Sequence, residues 1–224
     1  MPHDSSFVGV SASDWSARSF YLAIGGWFFR QRSWLPLPFI LLILISPPAN
    51  SAPEALAIAG VALVICGQFL RLWAVRHIGV ISRTRAARLG PLVLTGPYAL
   101  VRNPLYVGNA LLWMGFAMWS RVLWLLPVAI VVFGVQYAFI AQWEEQRLVE
   151  RFGAAYVCYQ RHTPAWIPRW ARVLSALGEP ARHTWRDVCF SERGTLMAVA
   201  GLAVLLVLKP LLSPALMPLL ISLF

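Results

Sequence analysis

Two short segments of this chain hold the side chains best suited to chemistry. The first covers residues 96–108 (GPYALVRNPLYVG), where an arginine, an asparagine and two tyrosines stand at the start of a long apolar run. The second begins at Glu144 and Glu145, directly after a later apolar run, and continues to residues 164–168 (PAWIP). Because the two segments flank one predicted helical hairpin, we predict that they form a site at a membrane surface.

The first segment contains a predicted helix start that could bind an anion. Pro104 fits the first position of a helix, which makes Asn103 the N-cap residue. The N–H groups of the first turn carry partial positive charge and would then face an anionic group such as a carboxylate. The alternative is ordinary helix capping, with Arg102 bound to a lipid phosphate.

The adjacent carboxylates of the second segment could balance a positive charge. Glu144 and Glu145 point about 100° apart on a helix, so we expect one of them to face inward. A carboxylate there could hold an ammonium group or balance a sulfonium. The alternative is an exposed pair that contacts Arg147 or Arg151 on the same helix.

The composition indicates that membrane helices position these segments. Of the 224 residues, 59% are hydrophobic and only 12% are charged, and the mean hydropathy is +0.66. This balance is typical of a multi-pass membrane protein and not of a soluble domain. The length allows about five transmembrane helices and leaves no room for a separate soluble domain. We therefore predict an all-α helical bundle that forms one domain over residues 1–224, with the motifs in residues 67–168.

The apolar runs locate the predicted helices. Residues 15–32 have the pattern of an N-terminal interfacial helix, although they could also extend the first span. The five spans are predicted at residues 35–45, 55–75, 105–119, 122–143 and 195–224. The last run contains three prolines, so one long kinked span and two half-length segments both fit it.

Two polar residues interrupt the second predicted span. Gln68 and Arg71 stand within an otherwise apolar helix. Polar groups at such positions usually face the protein interior or a water-filled cavity. Arg71 could alternatively extend toward the nearer membrane interface.

The positive charge predicts the orientation in the membrane. The chain has 19 lysines and arginines against nine acidic residues, a net charge of +10. In a membrane protein this surplus indicates cytoplasmic loops and anionic lipid headgroups, so no nucleic-acid partner is predicted. Residues 18–32, 76–102 and 147–193 are predicted to be cytoplasmic, and the turns at 47–54 and 120–121 external. The two motif segments, residues 96–108 and residues 144–168, then lie on the cytoplasmic side.

The three cysteines do not form a recognisable site. Cys66, Cys158 and Cys189 are scattered singly, without a C-x-x-C spacing. The pattern predicts neither a disulfide framework nor a metal site.

The order of the motifs resembles the isoprenylcysteine carboxyl methyltransferase family, whose related membrane enzymes methylate phospholipid amines or small thiols. The resemblance is carried by residues 96–108, Glu144-Glu145, Leu148, Phe152-Gly153, Tyr156, Tyr159 and residues 164–168, and upstream by Gly67-Gln68, Leu70-Arg71 and Trp73-Ala74. It covers nearly half of the chain. The chain departs from the family at Asn103, where the family commonly has histidine. Asparagine can form hydrogen bonds but does not titrate near neutral pH, so a general base is not expected there.

The resemblance implies an enzyme that transfers a methyl group from S-adenosylmethionine to a lipophilic or membrane-partitioned acceptor. The acceptor could be an isoprenylcysteine-like carboxylate, a phospholipid amine or a thiol, presented as a small molecule or a lipid-anchored group, and no obligate protein partner is indicated. The implied catalytic residues are Arg102 and Glu145. The implied cofactor-binding residues are Tyr98, Asn103, Pro104, Tyr106, Gly108, Glu144, Tyr156 and Tyr159.

Elementary chemistry is consistent with that implication. Methyl transfer is an in-line displacement that depends on alignment and needs no metal. Arg102 or Arg71 could orient a carboxylate or thiolate, whereas an amine would need Glu144 or Glu145 as a base. Nearby aromatic rings could contact the methylsulfonium by cation–π attraction.

Two other functions are compatible with the sequence. One is an NADPH-dependent membrane sterol or enone reductase, a group with a similar helical architecture and an arginine-containing motif. The other is a non-catalytic transporter or lipid-binding protein. No inverted pair of interrupted spans, as transporters use, is evident in the sequence.

Overall fold

A computed structural model describes residues 12–49, 52–79 and 91–221 of the chain, and the side chains of residues 20–49, 52–79 and 91–211. Within these ranges the regular structure is helical, and strands do not occur in them. The prediction of an all-α fold is confirmed.

The described residues form ten α-helices. They are α1 (Ala12–Gln31), α2 (Pro36–Ile45), α3 (Glu54–Ile78), α4 (Pro97–Leu100), α5 (Pro104–Trp119), α6 (Leu125–Phe152), α7 (Ala154–His162), α8 (Val173–Gly178), α9 (Trp185–Ser191) and α10 (Arg193–Ile221). A short 3₁₀ helix, Trp170–Arg172, precedes α8.

Three helices in the described part are long and apolar enough to cross a membrane, namely α3, α6 and the stretch Arg193–Leu211 of α10. A fourth span is possible if Phe20–Gln31 and Pro36–Ile45, which are bent by 57°, form one broken crossing. The predicted count of five is not confirmed, because α5 has 16 residues, fewer than the roughly 20 that a crossing needs. The last apolar run was predicted to form either one long kinked span or two half-length segments. In the structure α10 continues through the prolines of this run as one helix, which agrees with the single span.

Four glycines bring α3 and α5 into backbone contact. A Cβ atom on Gly67 would lie 2.7 Å from the carbonyl oxygen of Gly108, and one on Gly60 would lie 2.6 Å from that of Gly115. The two glycines of each helix are seven residues apart, so they lie on one face. Close packing through small residues is a common way for membrane helices to associate. It fixes Gln68 and Arg71 beside the N-terminal half of α5.

Helices α5 and α6 form the predicted antiparallel hairpin. The indole of Trp113 stacks on Phe133 with ring centroids 5.0 Å apart, and its Nε1 donates to the hydroxyl oxygen of Tyr137 at 3.1 Å. The hairpin therefore places the start of α5 next to the end of α6, where the two motif segments lie.

The loops group at two ends of the bundle, as the charge pattern predicts. At one end, the Ala49 N–H donates to the Arg121 carbonyl oxygen at 2.9 Å. Lys209 of α10 reaches the same end, where Nζ donates to the carbonyl oxygens of Ile43 at 2.6 Å and Ser46 at 2.7 Å. At the other end, the Arg102 N–H donates to the Pro164 carbonyl oxygen at 2.8 Å.

Candidate functional site

The turn before α5 has the bend that its prolines predict. Gly96, at φ +62°, precedes α4, and its N–H donates to the Glu179 carboxylate. A Cβ atom on Gly96 would clash with the imidazole of His77, so this position requires glycine. Val101 is extended, and α5 begins at Pro104 with Asn103 as N-cap. The helix start is confirmed.

Asn103 does not cap α5 with its side chain, contrary to the capping alternative. Instead its Nδ2 donates to Oε1 of Glu145 and to the Ala165 carbonyl oxygen, both at 3.3 Å. The amide therefore joins α6 and the loop after α7 to the start of α5. This tertiary use explains why the local capping bond is not made.

Arg102 connects three separate elements through four hydrogen bonds. Its Nε and Nη2 donate to the two carboxylate oxygens of Glu145, at 2.9 and 3.2 Å. Its Nη1 donates to the carbonyl oxygens of Gln160 at 2.9 Å and Thr163 at 3.0 Å. Such a bidentate arrangement fixes both orientation and distance. Arg102 is thus bound inside the protein, not to a lipid phosphate.

Glu145 accepts hydrogen bonds from three different side chains. Besides Arg102 and Asn103, the Gln160 side chain donates to its Oε2 at 3.0 Å. Its lone pairs are therefore largely occupied by hydrogen bonds from the protein itself. The structure brings together the predicted catalytic residues Arg102 and Glu145.

Glu144 faces a different neighbour from Glu145, as their angular separation predicts. It is hydrogen-bonded to the Tyr106 hydroxyl and lies within electrostatic range of Arg32. The Tyr106 ring stacks on Tyr137, with centroids 5.3 Å apart. Both carboxylates thus contact interior groups, so the expectation that only one faces inward is wrong. The reason is that Tyr106 of α5 contacts Glu144, whereas the residues just before α5 and Gln160 of α7 contact Glu145.

Three predicted tyrosines form a buried cluster beside the arginine. The Tyr159 hydroxyl donates to the Tyr98 carbonyl oxygen at 2.7 Å, and the rings of Tyr156 and Tyr159 lie 5.7 Å apart. Burial raises the pKa of all three phenols well above the ordinary value. They remain neutral in the physiological range and can act as hydrogen-bond donors.

Two predicted cofactor-binding residues have structural roles in the described contacts. Gly108 lies against α3, where a Cβ atom would be 2.7 Å from Cγ of Arg71 and 2.9 Å from the Gly67 carbonyl oxygen. Pro104 is buried as the first residue of α5. Neither contact tests a role in cofactor binding, which stays a prediction.

Arg71 lies in the interior, which decides between its two predicted placements. Its Nη2 donates to Oε2 of Glu192 at 2.9 Å, and its Nη1 donates to Oδ1 of Asn109. Asn109 also hydrogen-bonds Tyr137. A polar layer therefore crosses α3, α5 and α6 beneath the two carboxylates.

Several members of these networks were missed from the sequence. They are Asn109, Gln160, Glu179 and Glu192. Each is a common polar residue with no distinctive spacing, and Glu192 gave one weak signal, as a carboxylate shortly before the last apolar run.

Some buried polar atoms near this layer lack a partner. In the side chains that the structure describes, these include both amide atoms of Gln68, Nε of Arg71 and the hydroxyl of Tyr98, as well as both amide atoms of Gln136. Buried polar groups are normally hydrogen-bonded, and unpartnered ones indicate a place for a bound molecule or water. Tyr98 lies within electrostatic range of both Arg71 and Glu144.

Comparison with known proteins connects this geometry to a family. Residues 56–155 match the phospholipid methyltransferase family. The match covers slightly less than half of the chain and includes α5 and the paired glutamates. It confirms the resemblance predicted from the motifs. Together with the long apolar helices, it identifies an integral membrane protein.

Individual relatives agree with the family match. The chain is 29% identical to the protein-S-isoprenylcysteine O-methyltransferase of Saccharomyces cerevisiae over 165 residues, which are 68% of this chain and 67% of that protein. It is 29% identical to the protein-S-isoprenylcysteine O-methyltransferase B of Arabidopsis thaliana over 49% of this chain and 57% of that protein. Both of these relatives are named as O-methyltransferases.

A second kind of relative carries a different name. The chain is 32% identical to the cobalt-zinc-cadmium resistance protein CzcN of Cupriavidus metallidurans over 51% of this chain and 48% of that protein. The matched stretch thus spans about half the length of this relative. Groups of three or more His, Cys, Asp or Glu that could hold a metal do not occur among the residues described here.

Proposed function

We propose that this protein transfers a methyl group from S-adenosylmethionine to a lipophilic or membrane-partitioned acceptor at the cytoplasmic face of the membrane. The observation that carries the proposal is the joining of Arg102, Asn103 and Glu145 by hydrogen bonds at the end of the α5–α6 hairpin, inside the family-matching segment, residues 56–155.

The residues of the site suit a positively charged methyl donor. When bound, S-adenosylmethionine supplies a methyl group on a sulfonium, which is the electrophile. The Glu144 carboxyl group, which can balance the sulfonium charge, lies within electrostatic range of the Tyr98 hydroxyl, and that hydroxyl has no hydrogen-bond partner among the described side chains. The stacked rings of Tyr106 and Tyr137 provide an apolar wall against which a cation can be held.

Arg102 and Glu145 would act mainly by fixing the shape of the site. Because Arg102 donates to the Gln160 and Thr163 carbonyl oxygens as well as to Glu145, it joins the C-terminal end of α7 to α6. Positioning of this kind is the main contribution an enzyme can make to an in-line displacement. Glu144, which has fewer hydrogen-bond donors than Glu145, is the better candidate for accepting a proton from an amine acceptor.

The cytoplasmic orientation rests on the charge pattern. The arginine-rich segment of residues 147–193 contacts Arg102 at the site end of the bundle, whereas the opposite end carries the turns near Ala49 and Arg121. The positive-inside rule then predicts that the site faces the cytoplasm, where S-adenosylmethionine is available.

Calorimetric titration of the purified protein in detergent tests the proposal. We expect saturable binding of S-adenosylhomocysteine and none of NADPH. Glu145→Gln should weaken the binding, whereas Glu150→Gln, which removes the same charge from the exposed end of α6, should not. Binding of NADPH in place of S-adenosylhomocysteine would refute the proposal and favour a reductase.

A further inference from the structure

We propose that residues 166–177 form an interfacial anchor, a segment that binds the polar boundary of the membrane and prefers anionic lipid headgroups. The inference goes beyond the proposed function, because it concerns a surface outside the site and does not depend on the reaction.

An apolar surface without a partner in the described part of the chain is the first observation. Its members are large side chains between 39% and 86% exposed, namely Trp166, Ile167, Trp170, Leu174 and Leu177. Trp170, Leu174 and Leu177 are four and three residues apart, so they share one face of the short helical stretch. An exposed apolar patch of this kind marks an interaction surface for a membrane or a protein.

The level of this surface along α3 favours the membrane. Ala176 of the anchor is buried in a cluster with Leu100 and with Trp73 of α3. Trp73 lies about 8 Å along the helix from the end of α3 at Ile78. Helix α3 is long and apolar enough to cross a bilayer, and the headgroup layer on each side of the hydrocarbon core is about 5–8 Å thick. The anchor therefore lies close to the boundary between the core and the headgroups.

A neighbouring contact supports the same level. Trp185 of α9 lies against Phe69 of α3, with ring centroids 6.3 Å apart. The Arg76 guanidinium lies over the same indole, 4.6 Å from the ring centroid. Phe69 is exposed on the crossing helix, so it faces the surrounding lipid in a membrane. The chain after α7 thus reaches the lipid-facing surface of α3 near the end of that helix.

The charge of the segment indicates which lipids it suits. Residues 151–178 contain four arginines and no acidic residue. Two of these, Arg169 and Arg172, belong to the anchor and are exposed. Tryptophan and leucine on one face with arginines beside them are typical of a helix that lies in the membrane interface. Each arginine near the surface favours an anionic over a neutral leaflet by about fivefold.

The anchor is continuous with the residues that hold the site. The Arg102 N–H donates to the Pro164 carbonyl oxygen at 2.8 Å, and the Arg169 N–H donates to the Leu100 carbonyl oxygen at 3.1 Å. The same stretch of backbone therefore contacts the motif on one side and presents apolar side chains on the other. Binding of the anchor to the membrane keeps the site at the level from which lipophilic molecules can enter.

Spin labels report the surroundings of the anchor directly. The label is attached at Leu174→Cys in the full-length protein with Cys66→Ala, Cys158→Ser and Cys189→Ser, in nanodiscs of phosphatidylcholine and phosphatidylglycerol. Electron paramagnetic resonance measures the accessibility of the label to oxygen, which concentrates in the bilayer, and to a water-soluble nickel chelate. If the Leu174→Cys protein does not fold, Ile167→Cys gives the same test at another exposed position of the anchor.

The control label is placed on the native Cys158, in a protein that keeps only this cysteine. Cys158 is exposed on α7, where its sulfur lies 3.7 Å from Nδ1 of His162, so we expect it to face water. The ratio of oxygen to nickel accessibility should be at least about fivefold higher at position 174 than at Cys158.

The charge preference is tested with Arg169→Gln and Arg172→Gln combined. With both arginines present, the accessibility ratio at position 174 should rise several-fold when phosphatidylglycerol is added to phosphatidylcholine. In the double variant the two lipid compositions should give the same ratio. Arg161→Gln, at an exposed arginine of α7 outside the anchor, should retain the lipid dependence.

Three results would overturn the inference. The first is a ratio at position 174 no higher than at Cys158, which would place the patch in water and favour a soluble partner. The second is low accessibility of that label to both reagents, with spin–spin broadening if a second copy of the chain covers the patch. The third is a ratio that does not depend on anionic lipid, or a dependence that survives in the double variant. None of these measurements uses a methyl donor, so their outcome is independent of that of the proposed function.

Discussion

Removal of the Arg102 guanidinium should disassemble the site and also destabilise the fold. Arg102→Ala deletes four hydrogen bonds, two of them to Glu145. Breaking a fully buried ion pair costs about 3–5 kcal/mol. The two side chains here are 15% and 16% exposed, and Asn103 and Gln160 still donate to Glu145. We therefore expect a loss of about 2–3 kcal/mol, with part of the pair energy screened by solvent.

The assay combines thermal unfolding in nanodiscs with titration of S-adenosylhomocysteine. For a chain of this size the expected loss lowers the apparent Tm by about 5–10 °C, and binding should weaken at least about tenfold. Arg102→Lys keeps the charge but not the bidentate geometry, so it should rescue little. Arg161→Ala, at an exposed arginine of α7, is the control. The reasoning is refuted if Arg102→Ala unfolds and binds as Arg161→Ala does.

Two further predictions concern packing and pH. Gly67→Leu should prevent the close contact of α3 with α5 and abolish folding or binding in detergent. The control, Gly134→Leu, should be tolerated, because a Cβ atom added at Gly134 has no atoms within 4 Å. Equal effects of the two substitutions on thermal unfolding would contradict the packing role. Because burial raises the pKa of Tyr98, Tyr156 and Tyr159, their neutral form stabilises the folded state below pH 10, and this stabilisation is lost as the pH rises above about 10 toward the folded pKa values. Tyr156→Phe should therefore lessen the fall of the apparent Tm between pH 9 and 11. The control, Tyr21→Phe, should not, because Tyr21 is 49% exposed. A fall of the apparent Tm of the same size in both variants would contradict this prediction.

The helix boundaries near the site could be predicted because local chemistry determines them. Pro104 can begin a helix but not continue one from the residues before it. The sequence predicts a two-residue connection at Ser120-Arg121 between α5 and α6. The observed connection, residues 120–124, is longer but still short enough to leave few arrangements other than an antiparallel hairpin. These two features already bring the ends of the motif segments together.

The partners of the polar side chains could not be predicted in the same way. Arg102 binds the carbonyl oxygens of Gln160 and Thr163, and any residue type can supply a carbonyl oxygen. The Asn103 side chain does not cap α5, and its amide nitrogen instead donates to the Glu145 carboxylate and to the Ala165 carbonyl oxygen. The pairing of Arg71 with Glu192 joins positions 121 residues apart, a separation at which charge alone does not indicate which residues meet.

Transfer of a labelled methyl group tests the central claim most directly. Membranes that contain the wild-type protein are incubated with S-adenosylmethionine carrying a labelled methyl group, and the lipid-extractable product is counted and identified. The account predicts labelled product with the wild type and with Glu150→Gln, and a loss of at least about a hundredfold with Glu145→Gln and with Arg102→Ala. Labelling that persists in both site variants, or no labelled product from a wild-type protein that is folded and supplied with lipophilic acceptors, would contradict it.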